Sequence, residues 1–304
     1  MPALRPLAIV LLRAMALKGE ASGRALLEAP RDALRDGDIL VVSSKYVAKL
    51  QGRVLRYTGV RPRARARRLA RAFGLQPKEA EVILREAEEV YGGIRGVLLT
   101  AKLGTLAPNA GIDHSNVRRG LVVLQPLRPW EEARKLWDRF FLYRNARLGI
   151  IIADSRLTPL RRGTTGVALA SCGVPGVLDE RGREDLYGRR LRVTFRALAD
   201  ALASAAEALM GEAGEATPLV LIRGYRARGR DAGALSVSPR ICLFMRGLKG
   251  GAELQLEPVE GEQPAAAPAA VGVDLQRIPG RPELGARVDD RPAGAAPDLE
   301  DHPS

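Results

Sequence analysis

The apolar run Leu148–Ala153 and the acidic residue after it constrain the fold of this chain more than any other feature. The run has the length of a buried strand, and Asp154 and Ser155 come where that strand would end. A second carboxylate, Asp113, lies in the loop-like segment Ala107–Asn116. Because α/β sheets place ligand and metal chemistry at the carboxyl ends of buried strands, these positions predict a functional site.

The available side chains limit which metal such a site could bind. The chain has only two histidines and two cysteines. Cys172 and Cys242 have no metal-binding spacing, and two cysteines make no disulfide framework. The sequence therefore predicts a cytoplasmic protein, and it predicts that any bound metal is a hard cation with oxygen ligands, Mg²⁺ or Mn²⁺.

Charge and hydropathy narrow the class of partner. No apolar run approaches the length of a membrane span, so we expect no membrane partner. Arg13 interrupts the apolar start of the chain and no clear cleavage pattern follows, so we interpret Met1–Arg13 as a first β-strand rather than a signal peptide. The formal charge of +13 would attract nucleic acid, acidic membranes or phosphorylated small molecules.

Hydrophobic periodicity predicts the main elements. Strands are predicted within the segments Asp36–Lys45, Val97–Thr100, Gly120–Leu124 and Pro218–Arg223, and helices within the segments Arg61–Phe73, Lys78–Tyr91, Trp130–Tyr143 and Phe195–Met210. Residues 257–304 differ in character, since they contain eight of the 20 prolines among alanines and scattered charges. Such a composition predicts a disordered tail after a catalytic domain of residues 1–256.

Hydroxyl and lysine side chains follow the strand predicted within Asp36–Lys45. Ser44 and Lys45 come at its end, and Lys49 follows four residues later. These groups can hold a nucleotide phosphate. The glycine pattern of a Walker A loop is absent, so surface lysines on a connection between two strands are the alternative interpretation.

The other candidate residues also have a structural alternative. Asp113 could serve only to cap its own loop in an Asx-turn, and Asp154 could be a helix N-cap. Glu212 could mark a helix end that leaves through Gly211. The paired arginines Arg161 and Arg162 suit an anionic substrate or a solvated hairpin, and His114 is interpreted as a neighbour of the site.

Five segments, in this order and at compatible spacing, resemble a known family: Asp36–Arg53, Asn109–Asn116, Leu160–Gly163, Glu184–Arg189 and Leu209–Glu212. Together they resemble the gamma-glutamyl ligases of the deazaflavin coenzyme F420. The resemblance covers about residues 10 to 225. The segments Asn-Ala-Gly-Ile-Asp-x-Ser-Asn and Asp-Leu-Tyr-Gly-Arg are specific as a set.

This resemblance implies an α+β fold of mixed sheets with flanking helices, in a two-lobed subunit that forms a homodimer. It implies GTP-dependent addition of L-glutamate to the coenzyme precursor, with a pair of Mg²⁺ or Mn²⁺ ions in each subunit. In the mechanism that we expect, a substrate carboxylate attacks the γ-phosphate of GTP to give an acyl phosphate. The glutamate amine then displaces phosphate, so the chemistry depends on charge neutralisation at the γ-phosphate.

The resemblance also assigns residues by position. The metal-binding positions are Asp113, Asp154, Ser155 and Glu212, and the GTP-contacting positions are Ser44, Lys45, Lys49 and Asn116. We expect Asp113, Asp154 and Lys49 to carry the catalysis. Arg161 and Arg162 are placed near anionic groups from their charge and not from the resemblance.

The chain departs from the family pattern in places that leave the acceptor open. After Asp154 the usual Thr-x-Gly-Arg is replaced by Ser155–Pro159, and the expected Gly-Leu-Pro-Leu is not recognisable around Arg13–Lys18. An amide ligase of the same family with a different carboxylate acceptor is therefore the alternative. A nucleic-acid-binding protein is a third interpretation, from the net charge and the run Arg61–Arg71. That run has no interleaved aromatic residues, so we expect no nucleic-acid partner.

Overall fold

A computed structural model describes residues 8–10, 34–144, 147–225 and 235–249 of the chain. The strands are β1 (Ala8–Val10), β2 (Ile39–Ser43), β3 (Val54–Arg56), β4 (Glu89–Ile94), β5 (Val97–Lys102), β6 (Thr105–Pro108), β7 (Leu121–Val123), β8 (Gly149–Leu157), β9 (Thr164–Cys172), β10 (Leu178–Asp179), β11 (Phe195–Arg196) and β12 (Leu219–Arg223). The α-helices are α1 (Ser44–Leu50), α2 (Ala64–Phe73), α3 (Pro77–Glu86), α4 (Pro129–Arg144), α5 (Leu198–Met210) and α6 (Leu243–Lys249).

A five-stranded sheet of order β1-β12-β2-β8-β9 forms the centre of the fold. Its strands β2 and β8 are parallel, and the neighbouring pairs are antiparallel. The apolar runs of β2 and β8 are buried on both faces of the sheet. Helix α4 covers one face over Leu40, Val42 and Ile152, and α5 covers the other over Val41 and Ile151. Continuous apolar runs are typical of strands covered in this way.

A second part of the core is formed by α2, α3 and two small sheets. The antiparallel pair β3-β7 and the three-stranded sheet β4-β5-β6 pack with the two helices. Ala66, Ala70 and Ala80 are buried where α2 meets α3. The predicted α+β class with mixed sheets and flanking helices is confirmed, and its core has two parts.

Most predicted elements are present, and two have different bounds. The helix predicted over Lys78–Tyr91 ends at Glu86, and its last residues begin β4, where Val90 pairs with Thr100 of β5. The helix predicted from Phe195 begins at Leu198, because Phe195 and Arg196 form β11. The start of the chain contains a strand, β1, as predicted. The tail predicted over residues 257–304 lies outside the described residues.

Candidate functional site

The parallel pairing of β2 with β8 brings two predicted site residues together. Ser43 of β2 lies opposite Ala153 of β8. The residues that follow them, Ser44 and Asp154, are therefore adjacent. Ser44 Oγ donates a hydrogen bond to Asp154 Oδ1 at 2.9 Å. Ser44 begins helix α1, which connects β2 to β3, so the alternative of lysines on a connection between two strands is compatible with the structure.

Asp154 lies within a strand rather than at its end. Strand β8 continues to Leu157, and Asp154 lies opposite Val167 of β9. The expectation that Asp154 ends its strand was therefore wrong, and so was the alternative of a helix N-cap. The physical reason is the long antiparallel hairpin with β9, which continues past the point where the pairing with β2 stops.

A cavity of about 170 Å³ opens beside Asp154. Its wall includes Ser44, Lys45, Asp113, Gln125 and Ser155. Gln125 Nε2 donates to Asp154 Oδ2 at 2.7 Å. Burial raises the pKa of the Asp154 carboxyl, although the hydrogen bonds from Ser44 and Gln125 act to lower it.

Asp113 is held on the opposite wall by its backbone and by Lys45. Its N–H and C=O pair with Val123 at 2.9 and 2.8 Å. Its Oδ1 accepts from the Ser115 amide at 2.5 Å, which is the Asx-turn interaction, and its Oδ2 forms an ion pair with Lys45 Nζ. Burial acts to raise the pKa of Asp113, but Lys45 and Ser115 outweigh it, so this pKa is lowered. Both interpretations of Asp113 are therefore compatible with the structure.

Lys49 and Asn116 continue the site toward the exit of α5. Lys49 Nζ donates to the backbone oxygen of Asn116 at 3.0 Å, and Asn116 Nδ2 donates to the backbone oxygen of Ala213 at 2.9 Å. Burial and the nearby charge of Lys45 lower the pKa of Lys49, although Asp113 acts in the opposite direction. Both α1 lysines are thus close to the loop that carries Asp113.

Glu212 lies just after α5, and the chain leaves that helix through Gly211 at φ +71°. Its carboxylate accepts hydrogen bonds from Thr164 Oγ1 at 3.1 Å and from Ser155 Oγ at 3.5 Å. Burial raises the pKa of Glu207 to about 7, together with its hydrogen bond to Glu212 and the charge of Glu212. The carboxyl groups of Glu207 and Glu212 thus lie close together, and Glu212 contacts Ser155.

The paired arginines are not in the cavity wall. Arg161 and Arg162 lie on the exposed turn that joins β8 to β9. Arg156, three residues after Ala153, does line the cavity, and its guanidinium is 3.6 Å from Asp200. The role of Arg161 and Arg162 near anionic groups stays a prediction. His114 contacts Glu79 at 3.1 Å, as a neighbour of the Asp113 loop.

Gln125 and Thr164 are site residues that the sequence reasoning missed. Gln125 follows the apolar run Leu121–Leu124 directly, so the rule that identified Ser44 and Lys45, a polar residue after a buried strand, would also have found it. Thr164 is the first residue of β9, and its contact with Glu212 depends on a pairing between distant segments. No local pattern indicates that contact.

The donor set for a metal consists of oxygen atoms. Asp113, Asp154 and Ser155 line one cavity, and Glu212 contacts Ser155. Within the described ranges, no three carboxylate, imidazole or thiolate groups converge closely enough to form a ready metal cluster. The structure thus places three of the four predicted ligands in one cavity wall and brings the fourth, Glu212, into contact with Ser155.

Comparison with known proteins assigns the chain to a family. A family model described as F420-0:Gamma-glutamyl ligase matches residues 18–224. The chain is 39% identical over 213 residues to the Coenzyme F420:L-glutamate ligase of Archaeoglobus fulgidus, which covers 70% of this chain and 86% of the relative. A protein of the same name from Methanopyrus kandleri is 40% identical over 203 residues, which are 66% of this chain and 81% of the relative. One from Methanocaldococcus jannaschii is 38% identical over 204 residues, which are 65% of this chain and 82% of the relative. The chain belongs to the F420-0:gamma-glutamyl ligase family.

The described helices were also compared with the length and apolarity that a membrane span needs. Among residues 34–144, 147–225 and 235–249, no helix meets both requirements.

Proposed function

We propose that this protein is a GTP-dependent ligase that forms an amide between L-glutamate and the deazaflavin precursor of coenzyme F420. One observation carries the proposal: in this chain, which belongs to the family, Ser44, Lys45, Asp113 and Asp154 line the same cavity. Its curated relatives are named for ligation of glutamate to this coenzyme. The nucleotide, the metal and the acyl phosphate are parts of the proposal.

The lysines of α1 supply the positive charge that phosphate needs. Lys45 and Lys49 are four residues apart on one helix, so both project from the same face. Both ammonium groups reach the loop of residues 113–116. An ammonium is a compact charge that fits between phosphate oxygens, and we assign the triphosphate of GTP to this side of the cavity.

The proposed reaction has two steps. A carboxylate oxygen of the precursor attacks the γ-phosphorus of GTP, the bond from that phosphorus to the bridging oxygen breaks, and GDP leaves. The nitrogen of the glutamate amine then attacks the acyl carbon, the carbon–oxygen bond to phosphate breaks, and inorganic phosphate leaves while the amine loses a proton to water. Positioning and charge neutralisation contribute most to such a transfer.

The donor set fits a hard divalent cation, Mg²⁺ or Mn²⁺. Asp113, Asp154, Ser155 and Glu212 offer only oxygen, which these ions prefer. Asp113, Asp154 and Ser155 line the cavity, and Ser155 contacts Glu212. These ligands would hold the pair of ions, whose chemistry is to neutralise phosphate oxygens. The homodimer stays a prediction from the resemblance.

A second acceptor is favoured by one observation. The residues that depart from the family pattern after Asp154 include Ser155 and Leu157, and both line the cavity. A cavity whose wall differs from the family pattern can bind a different carboxylate acceptor. An amide ligase of the same family with another acceptor is therefore the alternative.

Incubation of the full chain with the deazaflavin precursor, L-glutamate, GTP and Mn²⁺ tests the proposal. We expect GDP and inorganic phosphate in equal amounts with a glutamylated product, detected by mass spectrometry, and we expect no product without the metal. GTP turnover only with a different carboxylic acid would select the alternative acceptor. Equal turnover with ATP in place of GTP would contradict the nucleotide assignment.

A further inference from the structure

Gln125 is a buried residue whose side-chain amide bonds to Asp154 and lies beside Gly111, on the segment that carries Asp113. Its side chain is 4% exposed. Its Nε2 donates to Asp154 Oδ2 at 2.7 Å, while Ser44 Oγ donates to Oδ1 at 2.9 Å. Each oxygen of this carboxylate is thereby oriented by a neutral donor.

Gly111 makes room for this amide on the Asp113 side. A Cβ atom on Gly111 would lie 2.3 Å from Gln125 Nε2 and 2.5 Å from its Cδ, so a larger residue would displace the amide. The backbone of Gly111 is at φ +67°, in the left-handed region that glycine prefers. Gln125 therefore packs directly on the segment that carries Asp113.

The backbone of Gln125 is held from the other side by Arg53. Arg53 Nε donates to the Gln125 backbone oxygen at 3.2 Å, and its Nη2 is paired with Glu86 Oε2 at 2.6 Å. Two residues earlier, Val123 pairs with the backbone of Asp113. The Gln125 side chain is thus bonded to β8 through Nε2, while the backbone of its own segment is bonded to Arg53 and to the Asp113 loop.

Both side-chain hydrogen-bond donors to Asp154 are uncharged. In the part of the chain that the structure describes, Asp154 has no ion pair, and its two side-chain donors are a hydroxyl and an amide. Buried charges in proteins are paired or coordinate metals. A lysine or arginine in place of Gln125 would neutralise the carboxylate, whereas a neutral amide orients it and leaves its charge available.

We propose that Gln125 is a positioning residue, which sets Asp154 relative to the Asp113 loop so that both carboxylates can bind a divalent cation. The inference rests on the proposed function for the cation. Loss of a hydrogen-bond partner of a metal-binding group commonly lowers metal affinity about 10- to 100-fold, and we expect an effect of this size.

The test measures Mn²⁺ binding to the full chain by electron paramagnetic resonance of the free ion. We expect Gln125→Met, which keeps the length and loses the donor, to raise the Kd for Mn²⁺ about 10- to 100-fold. Gln125→Glu should do the same, because it places a second carboxylate against Asp154. With saturating Mn²⁺, kcat of Gln125→Met should recover while KM for L-glutamate stays unchanged. Gln51→Met is the matched control, since the Gln51 side chain bonds to the Leu127 backbone, at 2.9 and 2.8 Å, outside the cavity wall.

A pair of glycine variants tests the same contact from the opposite side. Gly111→Ala and Gly52→Ala carry the same backbone strain, at φ +67° and +69°, but a Cβ on Gly52 meets nothing within 4 Å. Only Gly111→Ala should weaken Mn²⁺ binding, and this arm decides the question if Gln125→Met fails to fold.

Wild-type Mn²⁺ affinity in folded Gln125→Met or in folded Gly111→Ala overturns the inference. If the wild-type chain binds no Mn²⁺, both the proposed cation site and the inference are rejected. Loss of affinity in these variants, in a protein that does not glutamylate the deazaflavin precursor, would support the inference and reject the proposed acceptor alone.

Discussion

At the scale of single residues, the two lysines of α1 are held in different ways. The ammonium of Lys45 is paired with the carboxylate of Asp113 and also donates to Ser115 Oγ at 2.7 Å. The ammonium of Lys49 donates to a backbone carbonyl. Before any ligand binds, Lys45 therefore neutralises Asp113, and a cation on that carboxylate would free Lys45 for phosphate, whereas Lys49 has no such acidic partner to exchange in the part of the chain that the structure describes.

We expect Lys45→Met and Lys49→Met each to weaken GTP binding. A charge-assisted hydrogen bond to phosphate contributes about 1.5–3 kcal/mol, which corresponds to roughly a tenfold to hundredfold rise in the Kd for GTP by calorimetry. Lys45→Met should not weaken Mn²⁺ binding, because the lysine and the cation neutralise the same carboxylate. Lys135→Met, which removes an ammonium paired with Glu132 on α4, is the matched control. Equal losses in all three variants would refute the assignment.

At the scale of elements, one carboxylate joins the two helices of the smaller core. Glu81 of α3 is 3% exposed, and its Oε2 accepts from the backbone N–H of Arg63 at 2.9 Å, at the start of α2. Its Oε1 accepts from Arg85 Nε at 3.0 Å. A negative charge at a helix N-terminus is favourable, and α2 has no acidic residue of its own in the first turn.

Glu81→Gln should therefore lower the free energy of unfolding by about 1–3 kcal/mol, measured by urea denaturation. The hydrogen bond from Arg63, with help from Arg85, lowers the pKa of Glu81 below 4.5 in the folded protein. The unfolded state then binds the proton first as pH falls, so the contribution of Glu81 is complete above pH 4.5 and is lost as pH falls through the folded pKa. The acid side of the stability curve should be flatter in Glu81→Gln.

The control for this variant is Glu132→Gln, which breaks an exposed ion pair with Lys135. Exposed pairs contribute about 0–1 kcal/mol, so little change is expected. A Glu81→Gln protein as stable as the wild type at pH 7 would show that water replaces the cap without loss.

The same elements show which parts of the fold a sequence can predict. The strands β2 and β12 were predicted because their apolar runs are local. Strand β4 was not predicted, since the residues after Glu86 take their conformation from pairing with β5 and not from their own periodicity. In the site, Ser44 and Asp154 were recognisable from their positions after apolar runs. The contacts of Asp154 with Gln125 and of Glu212 with Thr164 join distant segments, and no local pattern reports them.

At the scale of the whole molecule, the cavity lies where the two parts of the core meet. Ser44 and Asp154 come from the central sheet and its helix α1, whereas Asp113 and Gln125 follow elements of the smaller part. Ligands that bridge the two walls would therefore hold both parts together. In this position the Gln125 amide lies next to Asp154 on one side and next to Gly111, on the Asp113 segment, on the other.

The last prediction concerns how much of the chain the fold needs. Residues 257–304 are rich in proline and alanine, and this composition predicts that they contribute nothing to the core. A chain ending at residue 256 should keep the melting temperature and the ligase turnover of the full chain.

A chain ending at Tyr225 is the control, because it also removes Leu235, which packs against the α5 side of the sheet, and the buried Met245 of α6. Loss of these apolar contacts should lower the melting temperature by several degrees, on the order expected for about 2–4 kcal/mol in a domain of this size. Calorimetry of the three chains checks the prediction, and an equal fall in both shortened chains would show that the tail contributes to the folded state.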